Sequence, residues 1–529
     1  MDSPAGGGIQ VHRLLASLKM TTHGIGLQLR GCALLVALAV ASCAAISSSA
    51  QDQPPAAGGA RATPTTPDQK QAADAQPATQ ERDREVRITP HEAEELFHSV
   101  DEILAFDSKE TGLPIKKEVK RKLTSRDEVE SFLTRHMKDD DVQRLRRSEL
   151  VLKKFGLLRH DFDLEKLLVA LYREQVAGYY DPKTKTVNLL DWLPPLEQEP
   201  VLAHELTHAL QDQSIGLEKW MKRGEKDLAE TRKDPTPADI ENDEMDNARQ
   251  AVIEGQAEAV MLDYAMAPVG RSILDSPDLV DAMESEMSNG TADSAVFKDA
   301  PIFMKESLTF PYSYGMRFVV KLMESGGKEK AFAAVLANPP HTTRQIMQPE
   351  TYMSGERIGP MPVPDFKHDF KDYQKFDIGA MGEFDVAVLV EQYAGKELSK
   401  RLYPEWRGGY YYAARPKADP PGSVGSGTLA LLYVSRWSSA EKAAEFAEIY
   451  ARSLKQRYKK VEDAGDPPGS AAQDQAKPAF KVNLLKGRHA WNTEEGTIVI
   501  EEQGDTVFVS ESLDAATTEK LEKEVFGKQ

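Results

Sequence analysis

The segment Val201 to Gln213, VLAHELTHALQDQ, sets His204 and His208 four residues apart with Glu205 beside the first. Four residues make about one helical turn, so both imidazoles leave the same helix face and can grip a single Zn²⁺ ion. Glu205 lies roughly 100° round the helix from His204, where its carboxylate reaches a water on the metal rather than the metal itself. This arrangement suits metal-assisted hydrolysis of a peptide bond. Such a match arises by chance in roughly one or two chains in a hundred, so its surroundings must decide.

Those surroundings predict a buried helix. Pro200 suits a first helical turn, and Leu202, Leu206, Ala209 and Leu210 form an apolar stripe. The alternative is a core helix whose two histidines merely bond to backbone. A catalytic zinc needs three protein ligands and one open position, so the third must come from another element. ARQAVIEGQAEAVMLDY, Ala248 to Tyr264, reads as a second buried helix, with Val252, Ala259, Val260 and Leu262 apolar and Glu254 and Glu258 four apart. Unpaired buried carboxylates are costly. Glu254 as ligand and Glu258 hydrogen-bonded to a ligand histidine remove that cost, unless the two simply face water. Asp212, one turn after His208, is a further candidate for orienting a ligand histidine.

These residues resemble the gluzincins, in which H-E-x-x-H supplies two histidines and a downstream helix a glutamate. Ile253-Glu254-Gly255-Gln256-Ala257 is similar to the N-E-G-F-A segment of the aminopeptidase N family, whose glutamate is the third zinc ligand. Glu258 falls where thermolysin-like enzymes keep a carboxylate behind a ligand. FPYSYGMRFVVKLMESGG, Phe310 to Gly327, resembles the P-Y-x-x-G helix start that carries that family's transition-state tyrosine, here Tyr312. A phenolic O–H beside the metal can share charge building on a carbonyl oxygen, whereas a tyrosine at a helix start can also just cap backbone.

The resemblance covers roughly Glu174 to Tyr352. His208 and Glu254 are 46 positions apart, and the charged stretch Leu217 to Asn247 between them reads as a solvated insertion, which costs little. The G-x-M-E-N motif that captures a free amine is missing upstream, and GAMGEF, Gly379 to Phe384, lies downstream. The resemblance therefore implies a general metallopeptidase and leaves endo- or exopeptidase mode open.

Upstream, REQVAGYYDPKTKTVNLL, Arg173 to Leu190, reads as a β-hairpin, with strands Val176–Tyr180 and Thr186–Leu190 turning at Asp181, Pro182 and Lys183. In zincins an edge strand above the metal pairs with extended substrate, which makes Gly178, Tyr179 and Tyr180 candidate substrate-binding residues. A plain structural hairpin fits the same residues.

The remaining chain frames this site. With 529 residues, 40% hydrophobic and 28% charged, there is room for two or three domains. Residues 1–50 carry a net +2, so their removal takes the formal charge from −18 to −20, which argues against nucleic acid as a partner. Arg30 followed by the short apolar run Ala33–Ala41 reads as an export signal, with Met1 or Met20 as the start. Val40-Ala41-Ser42-Cys43 resembles the bacterial lipobox and makes Cys43 a lipidation candidate; cleavage at Ser48-Ser49-Ala50 is the alternative. Both cysteines, Cys32 and Cys43, fall in this region, so zinc must be held by histidine and carboxylate. Residues 51–87, rich in Pro, Ala, Gln and Thr, read as a tether.

The expected fold class is α+β. Residues 88–355 form a mainly helical gluzincin-like core with an edge hairpin, and its N-terminal part, 88–172, packs on that core through Val151, Leu152, Phe155, Leu157, Leu158, Leu164, Leu167, Leu168 and Leu171. His91, His98, His136 and His160 are expected at the surface or at caps, and His341, in a loop before a short helix, as structural. Residues 356–529 form a C-terminal α+β domain: strands over 406–414 and 428–437, a capping box at Ser438–Glu441 opening a helix to about Tyr458, a hairpin turning near Gln503-Gly504, and a final helix.

The expected function is an exported zinc metallopeptidase of the cell envelope, free or lipid-anchored at a membrane, with one Zn²⁺ per chain and peptide or protein substrates. Glu205 is its base and Tyr312 its oxyanion partner. Two other readings are a non-catalytic binding or assembly lipoprotein on the same fold, and a zinc hydrolase of a non-peptide bond.

Overall fold

The computed structural model describes residues 87–129, 139–175, 178–221, 236–276, 279–280, 282, 295–418, 425, 427, 429–464 and 484–527. The expected targeting segment 1–50 with Cys43, the tether through residue 86, and His136 lie outside the described residues.

Helix α1 (Pro90–Thr111) opens with a capping box between Thr89 and Glu92 and stops at Gly112, whose φ of 71° suits glycine. After β1 (Lys120–Thr124), α2 (Asp139–Phe155) and α3 (Leu164–Gln175) comes the expected hairpin of β2 (Tyr179–Asp181) and β3 (Thr186–Leu190). Val176 and Ala177 lie outside the described residues. β3 is the middle strand, antiparallel to β2 and parallel to β1, so β2 forms an edge.

The H-E-x-x-H helix, α4, spans Pro195–Ile215. Pro200 is thus interior rather than in the first turn. Its missing N–H leaves the Leu196 carbonyl without a helical donor, at a residue exposed to water. Helix α5 (Pro237–Met266) starts eleven residues before Ala248, fixed by a Thr236–Asp239 capping box. The expected insertion is therefore largely structured where it is described: Leu217–Met221 is a short helix with Leu217, Trp220 and Met221 buried, and 237–247 are the first turns of α5. Helix α6 (Ile302–Glu329) likewise begins eight residues before Phe310, so Tyr312 sits within a helix, not at its start. It breaks at Gly327 (φ 71°) and runs into a π-turn, Lys330–Ala334.

Helix α5 lies between α4 and α6. A Cβ on Gly255 would lie 2.1 Å from the Gly315 carbonyl carbon, and one on Gly315 would lie 2.2 Å from the Ala251 oxygen. The two helices therefore touch backbone to backbone, and any side chain at either glycine would push them apart. That contact explains the glycines of the I-E-G and P-Y-S-Y-G segments. It also sets Glu254 and Tyr312 close together, each within a turn of the crossing.

Beyond two short helices, Thr343–Met347 and Pro349–Met353, lies a seven-stranded antiparallel sheet. Its strands are β4 (Tyr373–Ala380), β5 (Trp406–Pro416), β6 (Ala430–Trp437), β7 (Val461–Asp463), β8 (Gly487–Thr493), β9 (Gly496–Gln503) and β10 (Thr506–Glu511), in the order β4-β5-β6-β10-β9-β8-β7. Helices α7 (Glu383–Ala394), α8 (Ala440–Arg457) and α9 (Ala515–Gly527) accompany it. The α8 cap is Ser439, which accepts from the Lys442 N–H; with Lys442 at that position, the expected Ser438–Glu441 box does not form. The β9–β10 hairpin turns where expected, with Gly504 at φ 63°.

Both faces of this sheet are buried along β5, β6 and β10, so these strands carry apolar residues on both sides. Tyr410 and Tyr412 face Phe366 and Phe370, while Tyr411 and Tyr433 face Phe155 at 5.8 and 5.5 Å between centroids. Phe155 thus seats the last turn of α2 on the sheet, not on the zinc-motif helices. Lys154, buried beside it, pairs with Glu495 at 2.9 Å. The α+β class holds, and one continuous hydrophobic core links the helices to the sheet. Among the described residues no helix is long and apolar enough to cross a membrane.

Candidate metal centre

Three donor atoms converge between α4 and α5. His204 Nε2 and His208 Nε2 are 3.1 Å apart, and Glu254 Oε2 lies 3.3 Å from the first and 3.5 Å from the second. Zinc bonds of about 2.0–2.2 Å at the tetrahedral angle put neighbouring donors about 3.4 Å apart. The triangle has the size of one face of such a polyhedron, and the donor set suits zinc. His204 is fully buried, and His208 and Glu254 are 5% exposed.

The back of each ligand is held differently. His204 Nδ1 faces Glu258 Oε2 at 3.4 Å, the role expected of Glu258. His208 Nδ1 meets Gln211 Oε1 at 2.9 Å, so Asp212 does not orient a ligand histidine. Residues one helical turn apart share a face, but the ring of His208 turns its Nδ1 to the i+3 amide. Asp212 instead accepts from the Tyr180 hydroxyl at 2.8 Å and from Lys185 Nζ at 2.6 Å through Oδ2, and caps the Leu217 N–H through Oδ1. Gln250 donates to Glu254 Oε1 at 2.6 Å, leaving Oε2 toward the histidines. Neither Gln211 nor Gln250 was foreseen; each sits three or four residues from a ligand on the ligand's own helix, a spacing that would have found it.

Glu205 is fully buried. Its Oε2 accepts from the backbone N–H of Tyr180 at 2.8 Å, while Oε1 has no hydrogen-bond partner among the described residues. Burial raises its pKa to about 7 against the lowering pull of His204, His208 and the Tyr180 N–H, a value suited to a general base near neutral pH. Burial opposes a positive charge on His204, yet Glu254, Glu258 and Glu205 outweigh it and push its pKa up to about 10. Carboxylates buried this densely favour a cation among them.

Tyr312 is buried, its ring 6.2 Å from that of His204 and tilted by 30°. Tyr179 and Tyr180 are buried too, in register with Asn188 and Val187. A side chain on Gly178 would begin 3.3 Å from Val201 Cγ1, so this glycine lets the hairpin close on α4. His91, His98 and His160 are exposed. His341 is half-buried, and burial lowers its pKa. Glu383 of GAMGEF is fully buried against Arg344 Nη1 (2.9 Å) and Gln348, which leaves it no role in amine capture. A second grouping, His368, Asp369 and Glu524, has the Lys520 ammonium 2.6 Å from both His368 Nδ1 and Asp369 Oδ1, so a cation already sits there.

Compared with protein-family models, with curated proteins and with solved structures, the chain matches none, so the chemistry of the site itself carries the functional reading.

Proposed function

We propose that this chain is a zinc-dependent metallopeptidase of gluzincin type, exported to the cell envelope, with His204, His208 and Glu254 holding one zinc. The observation that carries this reading is the donor triangle with sides of 3.1–3.5 Å, with a fully buried carboxylate beside it. Zinc bound there would polarise a scissile carbonyl and acidify water. Glu205 takes the proton at Oε1, which has no hydrogen-bond partner among the described residues, while the Tyr180 N–H fixes Oε2 so that the carboxylate cannot turn away. The same group then returns the proton to the leaving nitrogen. Tyr312 donates its hydroxyl proton toward the developing oxyanion. Edge strand β2, beside the site, suits an extended polypeptide.

The test pairs metal analysis with the Glu205→Gln variant. Purified protein should carry one zinc per chain, and Glu205→Gln should keep that zinc while peptide hydrolysis falls by about three orders of magnitude or more. Undiminished turnover in that variant rules out the mechanism, and protein that takes up no zinc rules out the metal site.

A further inference from the structure

On its Nδ1 side His208 is not held by a charge. Its Nδ1 faces a neutral amide, and behind that amide stands a second one. Gln211 Nε2 donates to Gln256 Oε1 at 2.9 Å and to the Ile253 carbonyl at 3.0 Å. Gln256 Nε2 donates in turn to the carbonyls of Ala331 and Phe332, at 2.7 and 3.2 Å. Both glutamines are fully buried.

An amide has a donor end and an acceptor end, and a carbonyl only accepts. Two backbone carbonyls therefore force the NH₂ of Gln256 toward the π-turn and its Oε1 toward Gln211. With that oxygen and the Ile253 carbonyl as neighbours, Gln211 must also present its NH₂, which turns its own Oε1 to His208. Only an N–H on Nδ1 satisfies that oxygen, so the lone pair of the neutral ring lies on Nε2, the atom in the donor triangle. Each orientation follows from the previous one, and the starting point is backbone that cannot flip.

We infer that Gln256 and Gln211 form a relay through which the π-turn Lys330–Ala334 sets the tautomer of His208 and so prepares it as a ligand. π-turns depart from the regular helical ladder and recur at functional sites. The turn continues the chain of α6, so the segment that carries Tyr312 also reaches His208 through two amides. An amide here is also the choice that spares charge. Glu205, Glu254 and Glu258 are already buried around the two imidazoles, and a fourth buried carboxylate would add a further desolvation cost that an amide avoids. Gln211 and Gln256 are positioning residues, and their role rests on the metal-site reading above.

The experiment measures zinc affinity, by competition with a chromophoric chelator, in the wild type and in Gln211→Leu, Gln256→Leu and the double variant. The tautomer of His208 is read independently by NMR of ¹⁵N-histidine-labelled wild-type protein at pH 8 without metal. Each single variant should bind zinc about 10- to 100-fold more weakly, and the double variant should be no weaker than Gln211→Leu alone, since the relay is one series. The wild type should show the proton of His208 on Nδ1. A folded Gln211→Leu protein with wild-type zinc affinity, strictly additive losses in the double variant, or a proton on Nε2 in the wild type would each overturn the relay. The NMR result stands even if the variants fail to fold. A wild type that binds no zinc but shows the Nδ1 proton overturns the metal-site reading, and with it the relay's purpose, while leaving the tautomer intact.

Discussion

The backbone N–H of Tyr180 donates to Glu205 Oε2 at 2.8 Å, and the hydroxyl of the same tyrosine donates to Asp212 Oδ2, also at 2.8 Å. One residue of the edge strand thereby grips the zinc-motif helix at two points about two turns apart. Lys185, in the hairpin turn at φ 57°, adds a third grip on Asp212. The hairpin and Glu205 are one mechanical unit.

Asp212→Asn tests that unit. It should leave zinc content at the wild-type level, because Asp212 touches no ligand, yet lower turnover between about 10- and 100-fold as the hairpin and Glu205 lose their register. Stability should fall by about 1–3 kcal/mol in denaturant titration, reflecting the bonds lost from a buried carboxylate. A loss of zinc with unchanged stability would instead give Asp212 the histidine-orienting role read from its spacing.

The crossing of α5 and α6 predicts a steric result. Gly315→Ala and Gly255→Ala each place a methyl where backbone already stands, so each should destabilise the protein by about 1–3 kcal/mol or more. Both should also depress hydrolysis at temperatures where the variants remain folded, since the helices that carry Glu254 and Tyr312 move apart. Thermal melts alongside single-temperature kinetics separate the two effects; wild-type stability in both variants would contradict the backbone contact.

Metal binding should be visible in stability alone. Chelation should lower Tm and added zinc restore it, with a gain of about 2.7 kcal/mol when free zinc reaches 100 times its Kd. His204→Ala should abolish the zinc-dependent part of the melt. A zinc-dependent shift that persists in His204→Ala would assign the effect to another site.

A fourth prediction concerns pH. Glu244 in α5 accepts from the Thr343 N–H and Oγ1–H, but burial outweighs those bonds and raises its pKa from the ordinary 4.5 to about 8. The folded state thus holds this proton more tightly than the unfolded state. The corresponding stability is fully present below pH 4.5 and is lost as pH rises through about 8. Glu244→Gln keeps the acceptor and removes the ionisation. It should match or fall slightly below wild type at pH 4.5 and exceed it at pH 9, by on the order of a few kcal/mol, since each pH unit between the two pKa values is worth about 1.4 kcal/mol. Parallel Tm-against-pH curves for the two proteins would refute this.

The sequence by itself determined what depends on neighbours along the chain. The 3.6-residue period put His204 and His208 on one face of α4, and the apolar stripe around them made that face a buried one. Glu254 and Glu258, four apart on a second buried helix, were legible for the same reason, as were the hairpin strand Thr186–Leu190, the strands over 406–414 and 428–437, and the α+β class. Helix boundaries were less so. Thr236 and Asp239 start α5 inside a charged run whose polarity resembles that of a loop, and Pro200 and Pro311 lie inside helices although proline ordinarily marks their edges.

Tertiary structure alone decided what depends on residues far apart. Gln211 turns its Oε1 to His208 only because its amide N–H group donates to Gln256, 45 positions on, which is itself fixed by the Ala331 and Phe332 carbonyls, 75 and 76 positions beyond Gln256. Asp212 shares a helix with His208 yet serves Tyr180 and Lys185, since the side of α4 it faces is the one the hairpin covers. Phe155 lies 256 positions before Tyr411 and packs on a sheet no local pattern could assign to it. Helical and strand periods are written in the spacing of successive residues, whereas hydrogen-bond partners are chosen by whichever surfaces the close-packed core brings together.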